Sequence, residues 1–600
     1  SECRAPGQYA EIEIWGKELP KDGPRPKRTP WLQAGGATPF PDPVGEPEPT
    51  WEVPPVFPLP REMKAQGAAT PLVGGLTIGF EPAASARART TAEVLRDELK
   101  LCFGLESVVT PAAAERKEAV LIGEAAESPL TSAALAAQGL TVTPASPGPE
   151  GYVLCARDGR IVIGGSDARG AFYGIQTLLT LARRTRAGTW EVPGVVIRDW
   201  PTMKYRIIEG RAIPSQSLVR ALARFRVNYY TPKYQFIHQS VEHDKFAERY
   251  FVSFIPFLDF NGIVIGTDPS LAERPADERW QDLPNDARRN ANPGHPRTWE
   301  IYFAALDKYL PKFHGDILYI GMDETYQHNH GSRWNVSPES RALDMSAGQL
   351  LAYTIKKIDA KAKQYGKRVF MHDTPFCRDH TLSYKGDPDP SWRKAIPLLP
   401  KDVMFNVWHW NRKWVLEPLG KQGGFDLVYL CTGDRDWRAP AKVDPDQDVV
   451  PFEFPGYFAG INNYMAEGSF TASKLLETAW VAWNAGAPRP KDPAINAAVA
   501  HYTALWNQLH LGDPIPASLA AGAGDFIPVD LSAAANLSRT DEIAYDGKGW
   551  VDMGPNMDLR ALKPGVISMA GVPFTIIDEA KNGGKSVVAV QNRLYADRTL

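Results

Sequence analysis

From Trp200 to about residue 510 the chain repeats one unit, a short apolar run followed by a stretch of helical periodicity. The runs lie at 205–208, 227–230, 252–258, 317–320, 368–372, 403–408, 427–430 and 458–461. They are rich in β-branched and aromatic residues, the pattern of strands buried on both faces of a parallel sheet. Helical stretches at 217–225, 296–310, 347–365 and 471–483 supply much of an outer layer. Parallel strands need crossover connections, which helices provide, so the rhythm predicts an α/β fold with a (β/α)8 TIM barrel over 200–515.

Such a barrel keeps its reactive groups at the C-terminal ends of its strands. Most of the expected ends carry polar or aromatic side chains: Arg211, Lys233, Asp259, Asp323 with Glu324, His372 with Asp373, Trp408 with Trp410, Asp434 and Glu467. One such end says little, but so many are hard to assign to stability alone. The most pointed is Asp316-Ile317-Leu318-Tyr319-Ile320-Gly321-Met322-Asp323-Glu324, which delivers two adjacent carboxylates. An isolated pair of this kind caps a helix, with Asp323 as N-cap and Glu324 in the first turn. The company of the other strand ends is what turns the reading toward a site.

The flanks have other textures. Residues 1–59 are Pro-rich, with clusters such as Phe40-Pro41-Asp42-Pro43, and read as an extended arm without a core of its own. Over 60–199, apolar runs at 72–80, 119–122, 152–155 and 161–163 alternate with helical periods at 91–103 and 168–181, which predicts a compact α+β domain. Asp158-Gly159 between two of those runs is a hairpin signal. Gly164-Gly165-Ser166-Asp167-Ala168-Arg169-Gly170 matches neither phosphate-binding glycine motif, so Asp167 reads as a helix cap. Over 525–600, runs at 526–531, 572–577 and 586–590 predict a β-rich, jelly-roll-like module. That length is short for a complete sandwich, so the module is either truncated at Leu600 or packed on the barrel.

A formal net charge of -3 argues against nucleic acid or an anionic membrane surface as the main partner. No apolar run approaches a membrane span. The five Cys are scattered without CxxC or zinc spacing, so no disulfide framework, Cys-bound metal or cofactor is expected. Seventeen Trp and 21 Tyr supply flat amphipathic faces of the kind that stack on sugars. The start at Ser1-Glu2-Cys3, with no Met and no charged-then-apolar leader, is that of a processed chain, and a secreted or periplasmic location is expected.

Tyr319-Ile320-Gly321-Met322-Asp323-Glu324 resembles the His-x-Gly-Gly-Asp-Glu signature of the β-N-acetylhexosaminidases of glycoside hydrolase family 20. Three flanking stretches agree in order and spacing. Residues 292–310 resemble the Asn-Pro-x-x-x-x-Thr helix that precedes the signature. Phe254-Ile255-Pro256-Phe257-Leu258-Asp259 resembles the family's Ile-Pro-Glu-Ile-Asp strand, and Gly170-Ala171-Phe172-Tyr173-Gly174-Ile175-Gln176-Thr177-Leu178 resembles the last helix of its N-terminal domain. The departures are specific. Tyr319 replaces the signature His and Met322 its second Gly; no His follows the third strand, and Met465-Ala466-Glu467 stands for the Trp-x-Glu of the eighth. The resemblance is that of a divergent branch or a sister family.

What the resemblance implies is exo-hydrolysis of a terminal β-linked N-acetylgalactosamine or N-acetylglucosamine from a glycan or amino-sugar glycoside. The route is retaining and substrate-assisted, with the 2-acetamido oxygen as nucleophile. Glu324 would be the acid/base and Asp323 would steady the acetamido group and the charge of the oxazolinium-like intermediate. Trp408 and Trp410 are the candidate walls, Tyr429 and Tyr464 compete for the acetamido oxygen, and Arg211, His372, Asp373 and Glu467 are the remaining candidate sugar contacts. Two other readings stay open: a glycan-binding barrel without turnover, and a metal-assisted hydrolase that uses His328 and His330 beside Asp323.

Overall fold

The structure is a computed structural model that describes residues 56, 58–81, 86–114, 118–125, 127–185, 187–210, 214–232, 237–279, 290–322, 335–376, 393–407, 412–431, 455–459 and 478–484, together with strands at 528–530, 543–545, 550–553, 565–569, 572–577 and 587–590. Asp323, Glu324, Arg211, Trp408, Trp410, Tyr464, Glu467, His328, His330, Lys233, Asp434 and the Pro-rich arm before Val56 lie outside the described residues.

A mixed seven-stranded sheet comes first. Its strands are β1 (Glu62–Ala65), β2 (Leu76–Phe80), β3 (Ser107–Pro111), β4 (Val120–Glu124), β5 (Tyr152–Arg157), β6 (Arg160–Gly165) and β7 (Val195–Asp199), in the order β1-β7-β5-β6-β4-β2-β3. Helices α1 (Ala86–Phe103) and α3 (Ala168–Leu181) share one buried cluster with Ile78, Ile122, Leu154 and Ile163, while α2 (Pro129–Ala136) shares the other with Leu121, Val153 and Val162. The β5–β6 hairpin turns at Asp158 and Gly159, both with positive φ (52° and 80°), as the mirror-image turn favoured by Asp-Gly requires. Asp167 caps α3, accepting from Gly170 N at 2.8 Å.

Eight parallel strands follow: β8 (Tyr205–Gly210), β9 (Tyr229–Pro232), β10 (Ser253–Phe254), β11 (Ile317–Tyr319), β12 (Arg368–His372), β13 (Met404–Val407), β14 (Asp426–Cys431) and β15 (Gly456–Ala459). They pair in the order β10-β9-β8-β15-β14-β13-β12-β11. The two ends of that order meet: Leu258 N donates to Tyr319 O at 2.8 Å, Tyr319 N donates to Pro256 O at 3.1 Å, and Phe257 bridges Tyr319. The sheet is therefore a closed ring. Helices α4 (Gln216–Arg224), α5 (Ile237–Arg249), α6 (Phe260–Thr267), α7 (Pro296–Tyr309), α8 (Pro338–Arg341) and α9 (Ala347–Lys363) lie in the connections. α4 and α9 start on Ser caps, Ser215 and Ser346, the latter with a complete capping box to Gln349.

The seven-stranded sheet and the ring join at the N-terminal ends of β8 and β9 through fully buried arginines. Arg206 donates to Glu150 (2.5 Å), Tyr173 OH (2.8 Å) and the Met203 carbonyl (2.7 Å), and Arg224 pairs with Glu98 (2.8 Å) and Gln176 (3.0 Å). Arg226 lies over the Trp483 ring at 4.8 Å and donates to Thr177. Burial alone would raise the Glu150 carboxyl, but Arg206 and Arg169 outweigh it and hold it below the usual carboxylate range. Toward the C-terminus, Pro528–Asp530, Gly565–Met569, Val572–Ile577 and Val587–Val590 form a four-stranded sheet in that order, and Ile543–Tyr545 pairs with Trp550–Met553.

Candidate active site

Strand side chains alternate between two environments. Tyr205, Ile207, Tyr229, Ile317, Tyr319, Phe370, Met404, Val428 and Phe458 fill the inside of the ring, whereas Ile208, Leu318, Val369, Phe405 and Leu427 pack with the helix layer. The same period of two makes Glu209, Thr231, His372 and Asn406 the next inward positions toward the C-terminal ends. The interior is thus apolar and aromatic below and polar above. The upper layer is knit together: Tyr319 OH bonds His372 Nε2, and Asn406 Nδ2 donates to the same hydroxyl at 3.1 Å. Thr231 Oγ1 and Asn406 Oδ1 are buried with no partner among the described residues. An unsatisfied buried polar group costs about 1–3 kcal/mol. This polar floor therefore weakens the ring as a core.

β11 leaves that floor by an unusual path. Ile320 N still donates to Phe370 O at 2.9 Å, and then Gly321 and Met322 both take left-handed backbone, at φ +70° and +69°. Gly321 is needed twice over, for its φ and because a Cβ there would fall 2.3 Å from Asp259 Oδ1. The Asp259 carboxylate in turn caps α6, accepting from Gly262 N at 2.7 Å. Close by is the buried Tyr302, whose phenol is pushed well above its ordinary pKa by burial first and by the Asp259 charge second. Met322 has no glycine's freedom, yet its side chain is fully buried in the helix-layer cluster, which offsets the strained φ. Two consecutive left-handed residues turn the chain sharply, and the next two residues in sequence are Asp323 and Glu324.

Three of the sugar-contact candidates can be placed. His372 is buried in the polar floor, bonded to Tyr319 rather than standing free at the strand end. Asp373 is also buried, with its N–H donating to Asn406 O at 3.0 Å, which ties the ends of β12 and β13. Tyr429 packs with the helix layer, out of phase with the inward Val428. Reading the strand 427–430 by length alone missed that phase. Glu209, Thr231 and Asn406 were not singled out either, although polar residues at alternate positions of otherwise apolar strands are a legible signal.

A family model described as glycosyl hydrolase family 20, domain 2 matches residues 53–200, the span of the seven-stranded sheet. Over residues 53–200, then, the chain is similar to glycosyl hydrolase family 20. Among solved structures, the chain is similar to a GH20 exo-β-N-acetylglucosaminidase from Vibrio harveyi in complex with N-acetylglucosamine, with 17% identity over 76% of this chain and 77% of that one and a TM-score of 0.53. A chitobiase from Flavobacterium johnsoniae matches at 14% identity over 76% and 72%, TM-score 0.55. A β-N-acetylhexosaminidase from Bacteroides fragilis matches at 14% identity over 76% and 96%, TM-score 0.53. At these identities the likeness is one of fold.

Proposed function

We propose that the chain is an exo-acting β-N-acetylhexosaminidase and that its ring is a catalytic (β/α)8 barrel. The observation that carries this is the exit of β11: beside a polar floor the strand ends in a double left-handed turn, and Asp323 and Glu324 are the next residues in sequence. In the proposed reaction the acetamido oxygen of the bound sugar attacks its own anomeric carbon while Glu324 gives its proton to the leaving oxygen. Asp323 accepts the acetamido N–H and balances the positive charge of the ring that forms. Glu324, now a carboxylate, takes a proton from water as that water opens the ring, so configuration is retained. Of the two tyrosines considered for the acetamido oxygen, Tyr464 remains the candidate, since Tyr429 packs with the helices. Residues 60–199 and 525–600 are proposed as the N-terminal α+β domain and a C-terminal β module of the same enzyme.

The test is release of p-nitrophenol from the β-glycosides of N-acetylglucosamine, N-acetylgalactosamine, glucose and galactose. Turnover of an acetamido sugar with little or none of its 2-hydroxy analogue is expected, together with strong inhibition by a thiazoline mimic of the cyclised intermediate. Turnover of glucose and galactose at comparable rates, or a stable glycosyl adduct on any carboxylate, would refute the mechanism.

A further inference from the structure

The segment that carries the dyad runs from Met322 to a return point at 336–340, and that return point is fastened by one buried carboxyl group from another connection. Glu273, fully buried in the chain that follows α6, accepts from Val336 N (3.2 Å) and Ser337 N (2.9 Å) on Oε2, while its Oε1 lies 2.5 Å from Ser340 Oγ. Packing is close here: a Cβ on Gly294 would fall 2.4 Å from the Glu339 and Ser340 backbone.

The hydrogens do not balance if Glu273 is charged. Ser340 Oγ also lies 2.7 Å from Asn292 Oδ1. The orientation of that amide is fixed from two sides, since Oδ1 accepts from Gly294 N at 3.0 Å and Nδ2 donates to Glu339 Oε2 at 3.0 Å. Flipping it would set donor against donor and acceptor against acceptor. One hydroxyl therefore faces two acceptors with a single hydrogen. If the missing hydrogen sits on Glu273, the carboxyl O–H donates to Ser340 Oγ, Ser340 donates on to Asn292, and the other carboxyl oxygen takes the two backbone N–H groups.

We propose that Glu273 is a neutral, proton-bearing positioning residue, which ties the connection after α6 to Ser337 and Ser340 and so fixes the far end of the segment carrying Asp323 and Glu324. The catalytic part of this rests on the dyad reading above. The surroundings agree. Burial raises the Glu273 carboxyl, outweighing the pull of its Ser340, Ser337 and Val336 donors, and no cation contributes. The Arg274 guanidinium turns to the Glu278 carbonyl, and the exposed Glu339 adds only like charge.

Infrared difference spectra of wild type minus Glu273→Gln at neutral pH should show a protonated carboxyl C=O band; its absence overturns the proton. Gln can reproduce the pattern, donating to Ser340 Oγ and accepting from the two amides, so Glu273→Gln should keep kcat. Glu273→Ala should lower kcat by about tenfold or more with KM little changed. An unchanged kcat in the Ala variant, or equal losses in both, overturns the positioning role. If wild type releases no amino sugar, the proposed function fails, and the tie is still decided by hydrogen exchange at Val336 and Ser337. Their protection should be lost in the Ala variant and kept in the Gln variant, and protection retained in both overturns the tie. Should the Gln variant not fold, Ser340→Ala must shift the same infrared band, and an unshifted spectrum refutes the assignment.

Discussion

Gly321→Ala tests how the dyad is presented. A side chain at φ +70° costs about 1–2 kcal/mol. The new Cβ would also stand 2.3 Å from Asp259 Oδ1, so that carboxylate must move away and release its cap on Gly262 N, worth about 1 kcal/mol. The sum, roughly 2–3 kcal/mol, is concentrated two residues before Asp323. A displacement of about 1 Å in catalytic groups costs on the order of 10²-fold, so kcat/KM on the preferred aryl glycoside should fall by about that factor. Overall unfolding of a chain this large is a poor readout, since several cooperative units are involved. The sharper measurement is a double-mutant cycle with Asp259→Ala. If the clash transmits the damage, shortening Asp259 should recover part of it, with a coupling of about 0.5–3 kcal/mol in transition-state free energy. Additive losses, or Gly321→Ala within about twofold of wild type, would refute the reasoning.

Other expectations follow from the same geometry. Met322→Gly removes about 1–2 kcal/mol of strain but also a buried side chain worth about 2–5 kcal/mol, so local hydrogen exchange around β11 should speed up; slower exchange would show that strain dominates. Tyr319→Phe strips the hydroxyl shared by His372 and Asn406 and should cost about 1–3 kcal/mol of local stability; an unchanged value would mean the floor does not depend on that bond. Glu324→Gln should cut turnover of poor leaving groups by roughly 10²- to 10⁴-fold and of very good ones less, and near-normal rates on the former would sink the acid/base assignment. The resemblance sets Met465 where the family has a large flat ring, which would leave room for an axial 4-hydroxyl, and on that reading N-acetylgalactosamine should be accepted as well as or better than N-acetylglucosamine. An advantage of about tenfold or more in kcat/KM for the gluco epimer overturns that expectation, and Glu467→Ala should erode whichever preference is found.

Much of the ring was legible because its signal is local. A strand buried on both faces must be short, apolar and β-rich, and all eight runs coincide with or overlap the observed strands. The run 252–258 contracts to Ser253–Phe254 plus a bridge at Phe257, since Pro256 has no N–H to give to a neighbouring strand. Which face a side chain takes is less legible: in 427–430 both faces are apolar, so nothing in the sequence tells Tyr429 from Val428. Least legible of all is Glu273. Its partners Val336, Ser337 and Ser340 lie 63, 64 and 67 residues away, and no spacing rule reaches across a fold.

The seam between the seven-stranded sheet and the ring combines a shared apolar cluster with buried charges that have fixed partners, and the charges bear on the order in which the chain can assemble. Glu98 and Glu150 precede Arg206 and Arg224 in sequence, so during synthesis the acidic half of the seam emerges first. The early sheet then serves as a jig: β8 and β9 are gripped at their N-terminal ends before the strands that close the ring exist. A chain begun at Trp200 would lack that jig and would leave these guanidiniums without their carboxylates, a loss of about 3–5 kcal/mol for each broken buried pair. The ring should therefore not survive being cut free of the seven-stranded sheet.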